Sequence, residues 1–375
     1  MPAARVSSAV MTHPVRRAEA EELCARLGLD GLALDPAPDD SPSALRTALV
    51  AWGRAREDAT HHLMIQDDVA APPDLLDLVA HCADRFPGDA LAFYTNWHAR
   101  NGAAARLAAL AGAGWVRAVP EEFAPTLAIV LPVAMAAEFR RWAGTTGERH
   151  DDEVMAAFLR RDGRRSALLA VPTVTEHMGT SSINGHAAQG VRRAVCPVGA
   201  DDARPALYGG WVLEELEWLP YMRYGEGFIR LPGQDATPKA RSHITWREAL
   251  PGTGLTEEAI TRAVRAGRPE AAAGEIGKTF GAPFADEFWI HCLLLGRQAE
   301  SAARRYAPRG AAGSGSPAGE RLRAAAVSTA GVAGLPPERR PEVDQAHTEL
   351  LSAYAWTAVR CGASLLPEPG PADRR

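Results

Sequence analysis

Three short stretches carry residue types that can do chemistry. The run His61-His62-Leu63-Met64-Ile65-Gln66-Asp67-Asp68 ends an apolar segment on two adjacent carboxylates. Asp151-Asp152-Glu153 stands directly before the helical pattern Val154 to Leu159, and Glu176-His177 follows the apolar run Leu168 to Val174. Carboxylates at a strand end can hold a hard divalent cation, and Mg²⁺ or Mn²⁺ needs only one or two of them when phosphates complete the shell. An acid at a helix start caps the helix and meets its positive end. That accounts for one carboxylate of the second stretch better than for three, and a second one there suits a general base acting on a hydroxyl. A lone histidine is most often a packed side chain. A strand end facing Asp68 would give His177 a use, because imidazole suits Mn²⁺.

The elements that must position these groups alternate in period over the first 190 residues. Val6 to Met11, Leu32 to Leu34, the run before Gln66, Ala90 to Tyr94, Val116 to Val119, Leu127 to Leu131 and Leu168 to Val174 read as strands. Helical spacing follows through Leu23 and Leu27, through Leu45, Leu49 and Trp52 after a cap at Ser41 or Ser43, and through Leu75, Leu76, Val79 and Cys82. Asp152 to Leu159 adds another helix. Such alternation predicts an α/β fold with a mostly parallel sheet and helices on both faces. Ligands of open parallel sheets sit beyond the carboxyl ends of strands. Those ends carry Thr12-His13, Asp35, Gln66-Asp67-Asp68 and Glu176-His177.

The second half reads differently. Residues 208 to 231 are aromatic-rich, 256 to 305 are helical, 308 to 320 form a Gly/Ser/Pro run with the composition of a flexible linker, and Val343 to Tyr354 keep helical spacing. This predicts a catalytic-type domain over 1–195, an accessory aromatic and helical region over 196–307, a linker over 308–320 and a C-terminal helical segment over 321–375. Trp211, Trp218, Tyr221 and Tyr224 offer either a sugar-stacking face or core, with core the commoner use of aromatics at this density.

Residues 5 to 180 as a set resemble a GT-A fold glycosyltransferase, in particular the bacterial surface-polysaccharide and collagen galactosyltransferase family. Val10-Met11-Thr12-His13-Pro14 with Arg16 and Arg17 is similar to the first donor-binding strand and loop. His61 to Val69 resembles the strand that ends in the metal-binding acidic motif, Asp151-Asp152 the acidic pair of the acceptor site, and Glu176-His177 the late histidine of the metal shell. The resemblance implies a GT-A-like, Rossmann-like sheet with a mainly helical C-terminal extension. It implies a metal-assisted transferase moving a sugar from a nucleotide-sugar, UDP-sugar by default, to the hydroxyl of a glycan, peptide or small molecule. Asp68 and His177 would hold Mn²⁺ or Mg²⁺. Thr12, His13, Arg16, Asp35, Gln66 and Asp67 would meet the donor. Asp152 would be the base of an inverting reaction, and Asp151 would hold the acceptor. Gln66 stands where an acid is frequent in the family, which weakens metal binding there.

Composition sets the remaining bounds. The chain has 375 residues, 46% hydrophobic and 23% charged, with a net charge of −5, so it carries no basic field for nucleic acid. Forty-one cationic residues include only two lysines, Lys239 and Lys278, a bias expected of a GC-rich bacterial genome rather than of a phosphate-binding surface. Five separate cysteines without a CxxC pair fit a reducing cytoplasm. No apolar run is long enough for a signal peptide or a membrane span. Ala272 to Phe280 nearly matches a phosphate-binding loop, but a polar helical stretch precedes it where such a loop needs a strand, and Gly277 reads as a helix end. His61 and His62 point to opposite faces of a strand, so at least one is structural, and His291 reads as packed. Two rivals stay open: a nucleotidyltransferase, which would want a glycine-rich loop after the first strand, and a non-catalytic protein that binds a nucleotide-sugar or a partner. A homodimer is compatible with either.

Overall fold

The structure is a computed structural model, described for residues 3–161, 166–179, 191–232, 243–309 and 317–366. It divides into two compact units, Met1–Ala105 with Gly114–Val212, and Arg106–Ala113 with Leu213–Arg375. The first unit therefore runs on to Val212, past residue 195.

The first unit contains β1 (Val6–Thr12), α1 (Arg17–Leu27), β2 (Leu32–Leu34), α2 (Ala44–Trp52), β3 (His61–Gln66), β4 (Val69–Ala70), α3 (Leu75–Arg85) and β5 (Leu91–Ala92). Then come α4 (Arg100–Ala111), of which Arg100–Ala105 belong to this unit, β6 (Trp115–Arg117), β7 (Ala128–Pro132), α5 (Val133–Ala143), α6 (Asp151–Arg160), β8 (Leu168–Ala170), β9 (Glu176–His177), α7 (Ala200–Gly209) and β10 (Val212–Leu213), which starts at the unit's last residue. Eight strands form one sheet in the order β10-β6-β8-β5-β7-β3-β1-β2. The pairings make β1, β2, β3, β5 and β8 run one way, with β6 and β7 against them. An α/β chain with a mostly parallel sheet is therefore what folds, with antiparallel strands inside it.

Alternation explains the two cores. Val10, Leu63 and Ile65 pack on one face with Leu23, Leu27, Leu75, Leu78 and Val79. Ala9, Met11 and Met64 pack on the other with Leu45, Ala48, Trp52, Phe139 and Phe158. Helices thus cover both faces, as the period change requires. Ser43 caps α2 by accepting from Arg46 N at 3.2 Å.

Several boundaries differ from the sequence reading. The strand expected over Leu168–Val174 stops at Ala170, since Pro172 has no N–H to give a ladder. Glu176–His177 is a separate strand paired with β4 in a two-stranded ladder. The strand expected over Val116–Val119 is β6, starting one residue earlier at Trp115.

The second unit holds β11 (Leu219–Arg223), β12 (Glu226–Arg230), α8 (Trp246–Ala249), α9 (Glu257–Gly267), α10 (Glu270–Phe280), α11 (Ala282–Tyr306), α12 (Pro317–Ser328), α13 (Ala330–Gly334) and α14 (Gln345–Ala363). β11 and β12 form a hairpin closed by Tyr224-Gly225, both at positive φ, 55° and 88°. That is the backbone a two-residue hairpin turn requires. Residues 310–316 of the expected linker lie outside the described residues, while Pro317–Glu320 are the first turn of α12. Gly277 lies within α10, which ends instead at Gly281 with φ 99°. The chain ahead of α10 is helix α9, so the near-match to a phosphate loop has no strand to spring from. His291 is buried in α11, its pKa driven down to about 3 by burial. No described helix is long and apolar enough to cross a membrane.

Candidate functional site

β1 and β3 are parallel neighbours in register Met11↔Gln66, so the residues that follow them emerge side by side. Thr12 Oγ1 donates to Asp67 Oδ2 at 2.5 Å. A 3-10 turn over Pro14–Arg16, capped by His13 Nδ1 accepting from Val15 N at 3.3 Å, swings Arg16 back over the acidic pair. Its Nη1 lies 3.2 Å from Asp67 Oδ1 and 3.6 Å from Asp68 Oδ2. Burial pushes the Asp67 carboxyl up, with Asp68 adding to the rise and Thr12 and Arg16 opposing it.

The β4–β9 ladder closes the site across more than a hundred residues of sequence. Val69 pairs with His177, and Met178 N donates to Asp68 O at 2.8 Å. His177 Nε2 then sits 3.3 Å from Asp68 Oδ2. The expected meeting of Asp68 and His177 is thus brought about, by the small ladder rather than by the end of a main-sheet strand.

The ring of His177 is held by its neighbours. Gly179 N donates to Nδ1 at 2.9 Å, so Nδ1 is an acceptor. Nε2 faces Asp68. Burial pushes the pKa of the ring down, with the charge of Asp68 opposing it. Arg192 Nη2 packs 3.0 Å from the same Nε2. Residues 191–195 run beside Tyr94–Trp97: Tyr94 OH donates to Arg192 O at 2.6 Å, Trp97 N to Arg193 O at 2.9 Å, and Val195 N to Thr95 O at 3.0 Å. Glu176 pins the same segment by accepting from Ala194 N at 2.8 Å.

A divalent cation ligated by Asp68 and His177 does not fit this arrangement. Nε2, the ring atom facing Asp68, is already met by Arg192 Nη2 at 3.0 Å, and Nδ1 by Gly179 N at 2.9 Å. Guanidinium groups of Arg16 and Arg192 flank the carboxylate and the ring where a cation would sit.

A second acidic centre lies on the same edge of the sheet. β7 runs against β3, with Ile65 opposite Ala128 and Gln66 N donating to Leu127 O, so the chain entering β7 is beside the carboxyl end of β3. Ala124 in that entering loop donates to Asp152 O at 3.1 Å. Arg149, just before α6, accepts from Leu45 N at 3.0 Å, at the start of the helix that follows β2. Asp151 and Asp152 open α6 there. Asp151 is buried, and its Oδ2 has no hydrogen-bond partner among the described residues. Burial pushes both carboxyls up, Asp152 to about 7, with the charge of Asp151 adding to the rise.

Other expected residues have clear structural work. Asp35 accepts a fork from Arg46, Nε to Oδ1 at 2.7 Å and Nη2 to Oδ2 at 2.8 Å, which holds its pKa down and fixes the loop after β2. Gln66 N is bonded to Leu127 O, and the residue is partly buried. His61 and His62 are both buried. His62 bridges Ser7 Oγ at 2.7 Å and Ala51 O at 2.9 Å, and burial pushes its pKa down to about 4. Trp211, Trp218 and Tyr221 are buried, and Tyr224 is exposed at its hairpin turn.

Sequence reasoning missed Arg192 and Tyr94, and marked Glu176 only as the partner of His177 at a strand end. Arg192 stands in an irregular segment fifteen residues past His177, where no period marks it. Tyr94 had a usable signal, as a polar-tipped aromatic at a strand end. In comparisons with known proteins, no family model, curated protein or solved structure matches the chain.

Proposed function

We propose that the chain is a glycosyltransferase that moves a sugar from a nucleotide-sugar, by default a UDP-sugar, to an acceptor hydroxyl. The observation that carries this reading is the pair of unlike polar centres on one edge of one sheet. One centre, Thr12, Arg16, Asp67, Asp68, His177 and Arg192, is rich in fixed charge and suits the diphosphate end of a donor. The other, Asp151 and Asp152, holds a carboxyl near neutrality, the range that suits a general base.

The chemistry balances with these groups. The acceptor oxygen attacks the anomeric carbon. The bond from that carbon to the phosphate oxygen breaks, and its electron pair leaves on the diphosphate. The acceptor proton passes to the Asp152 carboxylate. Attack from the face opposite the leaving group gives inversion. Asp151 stands beside the base, and its charge lifts the Asp152 carboxyl further. Resemblance to GT-A enzymes supports the donor class, and the α/β sheet, with one centre at strand ends and the other at the start of α6, agrees with it.

A thermal-shift panel tests the reading, because a ligand that binds only the folded state stabilises it by mass action. UDP-, GDP- and dTDP-sugars are the probes. A rise in melting temperature for sugars of one nucleotide class is expected. No rise for any of them overturns the proposal.

A further inference from the structure

We infer that Arg16 and Arg192 bind the donor diphosphate in place of a divalent cation, so the site works without metal. The inference rests on the nucleotide-sugar reading above and concerns the same centre.

Three features lead to it. First, both ring nitrogens of His177 are already engaged, Nδ1 by Gly179 N at 2.9 Å and Nε2 by Arg192 Nη2 at 3.0 Å. A metal ligated through either nitrogen would cost one of those contacts. Second, two guanidinium groups converge on the ring and the acidic pair: Arg16 Nη1 is 3.2 Å from Asp67 and 3.6 Å from Asp68, and Arg192 Nη2 is 3.0 Å from His177 Nε2. Third, both are built in. Arg16 ends a capped 3-10 turn, and the segment of Arg192 is clamped by Tyr94 OH on the Arg192 carbonyl and by Glu176 on Ala194 N.

A guanidinium presents five N–H donors in a planar fork, which matches two phosphate oxygens as an ammonium or a bare ion does not. Charge-assisted forks of this kind are among the strongest hydrogen bonds available to a protein. The aspartates then serve to orient the arginines, with Thr12 orienting Asp67. When the sugar–phosphate bond breaks, the electron pair goes to the β-phosphate oxygen, and the same N–H donors stabilise the charge that develops there. The chain's glutamine at position 66, where an acid would strengthen a metal site, agrees with this division of labour.

The test is calorimetric titration of UDP, GDP and dTDP into the full chain, in EDTA and again with excess Mn²⁺. One of the three is expected to bind in EDTA, with affinity changed less than about threefold by Mn²⁺. Arg16→Ala and Arg192→Ala should each weaken it by about tenfold or more, the scale of a lost charged hydrogen bond. Melting curves of each variant without nucleotide separate lost binding from lost folding. Arg192→Lys, which keeps the charge and loses the fork, should fall between alanine and wild type. Binding that appears only with Mn²⁺, or that survives both alanine substitutions, overturns the inference and leaves the nucleotide-sugar reading standing. A folded chain that binds none of the three in either buffer overturns that reading, and the inference with it.

Discussion

Replacing Asp152 with asparagine should raise stability while removing turnover, a pairing that a merely structural aspartate would not give. Burial and the neighbouring Asp151 lift the Asp152 carboxyl from the ordinary value near 4 to about 7. A carboxyl lifted in the folded state binds its proton more tightly there than in the unfolded chain. Its ionisation therefore costs stability as pH rises from about 4 to about 7, and the cost is constant above that. At about 1.4 kcal/mol for each tenfold change in proton affinity, the ceiling is about 4 kcal/mol. Asp152 is only partly buried and shares the effect with Asp151, so about 1–2 kcal/mol is the working expectation. Asparagine keeps the shape and never ionises. At pH 8 Asp152→Asn should melt about 2–8 °C above wild type, and the gap should narrow toward pH 5. His62 acts in the opposite sense: pushed down to about 4, it adds stability as pH rises from about 4 to 6.5. The difference between variant and wild type cancels that contribution. Turnover should fall by about 10²–10⁴-fold, the range for a general base. A variant that melts below wild type at pH 8, or a gap that does not change with pH, refutes the reasoning.

Further outcomes follow from single contacts. Thr12→Val should destabilise the chain by about 1–3 kcal/mol in denaturant titration, because it removes the hydroxyl donated to half-buried Asp67 at 2.5 Å and leaves that carboxylate short of a partner. His62→Phe keeps the ring packing against Trp52 but severs the Ser7–His62–Ala51 bridge; a loss of about 2 kcal/mol is expected, together with loss of the stability gain between pH 4 and 6.5. Gly362→Ala in the second unit should cost about 1–3 kcal/mol, because a methyl group there would run into the Leu293 carbonyl of α11. Unchanged melting of that variant would contradict the close packing of α11 on α14.

The acidic stretches were legible because each sits at a sharp change of pattern. Val6–Thr12 and His61–Gln66 alternate toward two buried faces, and their polar ends announce themselves. Ser43 before an amphipathic run marks α2. Helices α4 and α5 were missed for a physical reason. Arg100–Ala111 is alanine-rich and almost wholly buried, so it has no polar stripe to set its period. In Val133–Ala143 the buried face is mostly Ala136 and Ala143, which contrast weakly with their neighbours. The reversed direction of β7 leaves no mark in composition, since both directions bury the same alternate side chains. The site was legible in its carboxylates and in His177, but not in Arg192. That residue reaches the ring through a backbone clamp of Tyr94, Trp97 and Glu176, each distant in sequence.

The most direct measurement of the central claim is release of nucleoside diphosphate from UDP-, GDP- and dTDP-sugars, with water or an added hydroxyl compound as acceptor, by wild type and by Asp152→Asn. Sugar transfer predicts release from donors of one nucleotide class by wild type and release lower by about 10²–10⁴-fold in the variant. Release that Asp152→Asn leaves unchanged, or no release from any donor the protein binds, would contradict it.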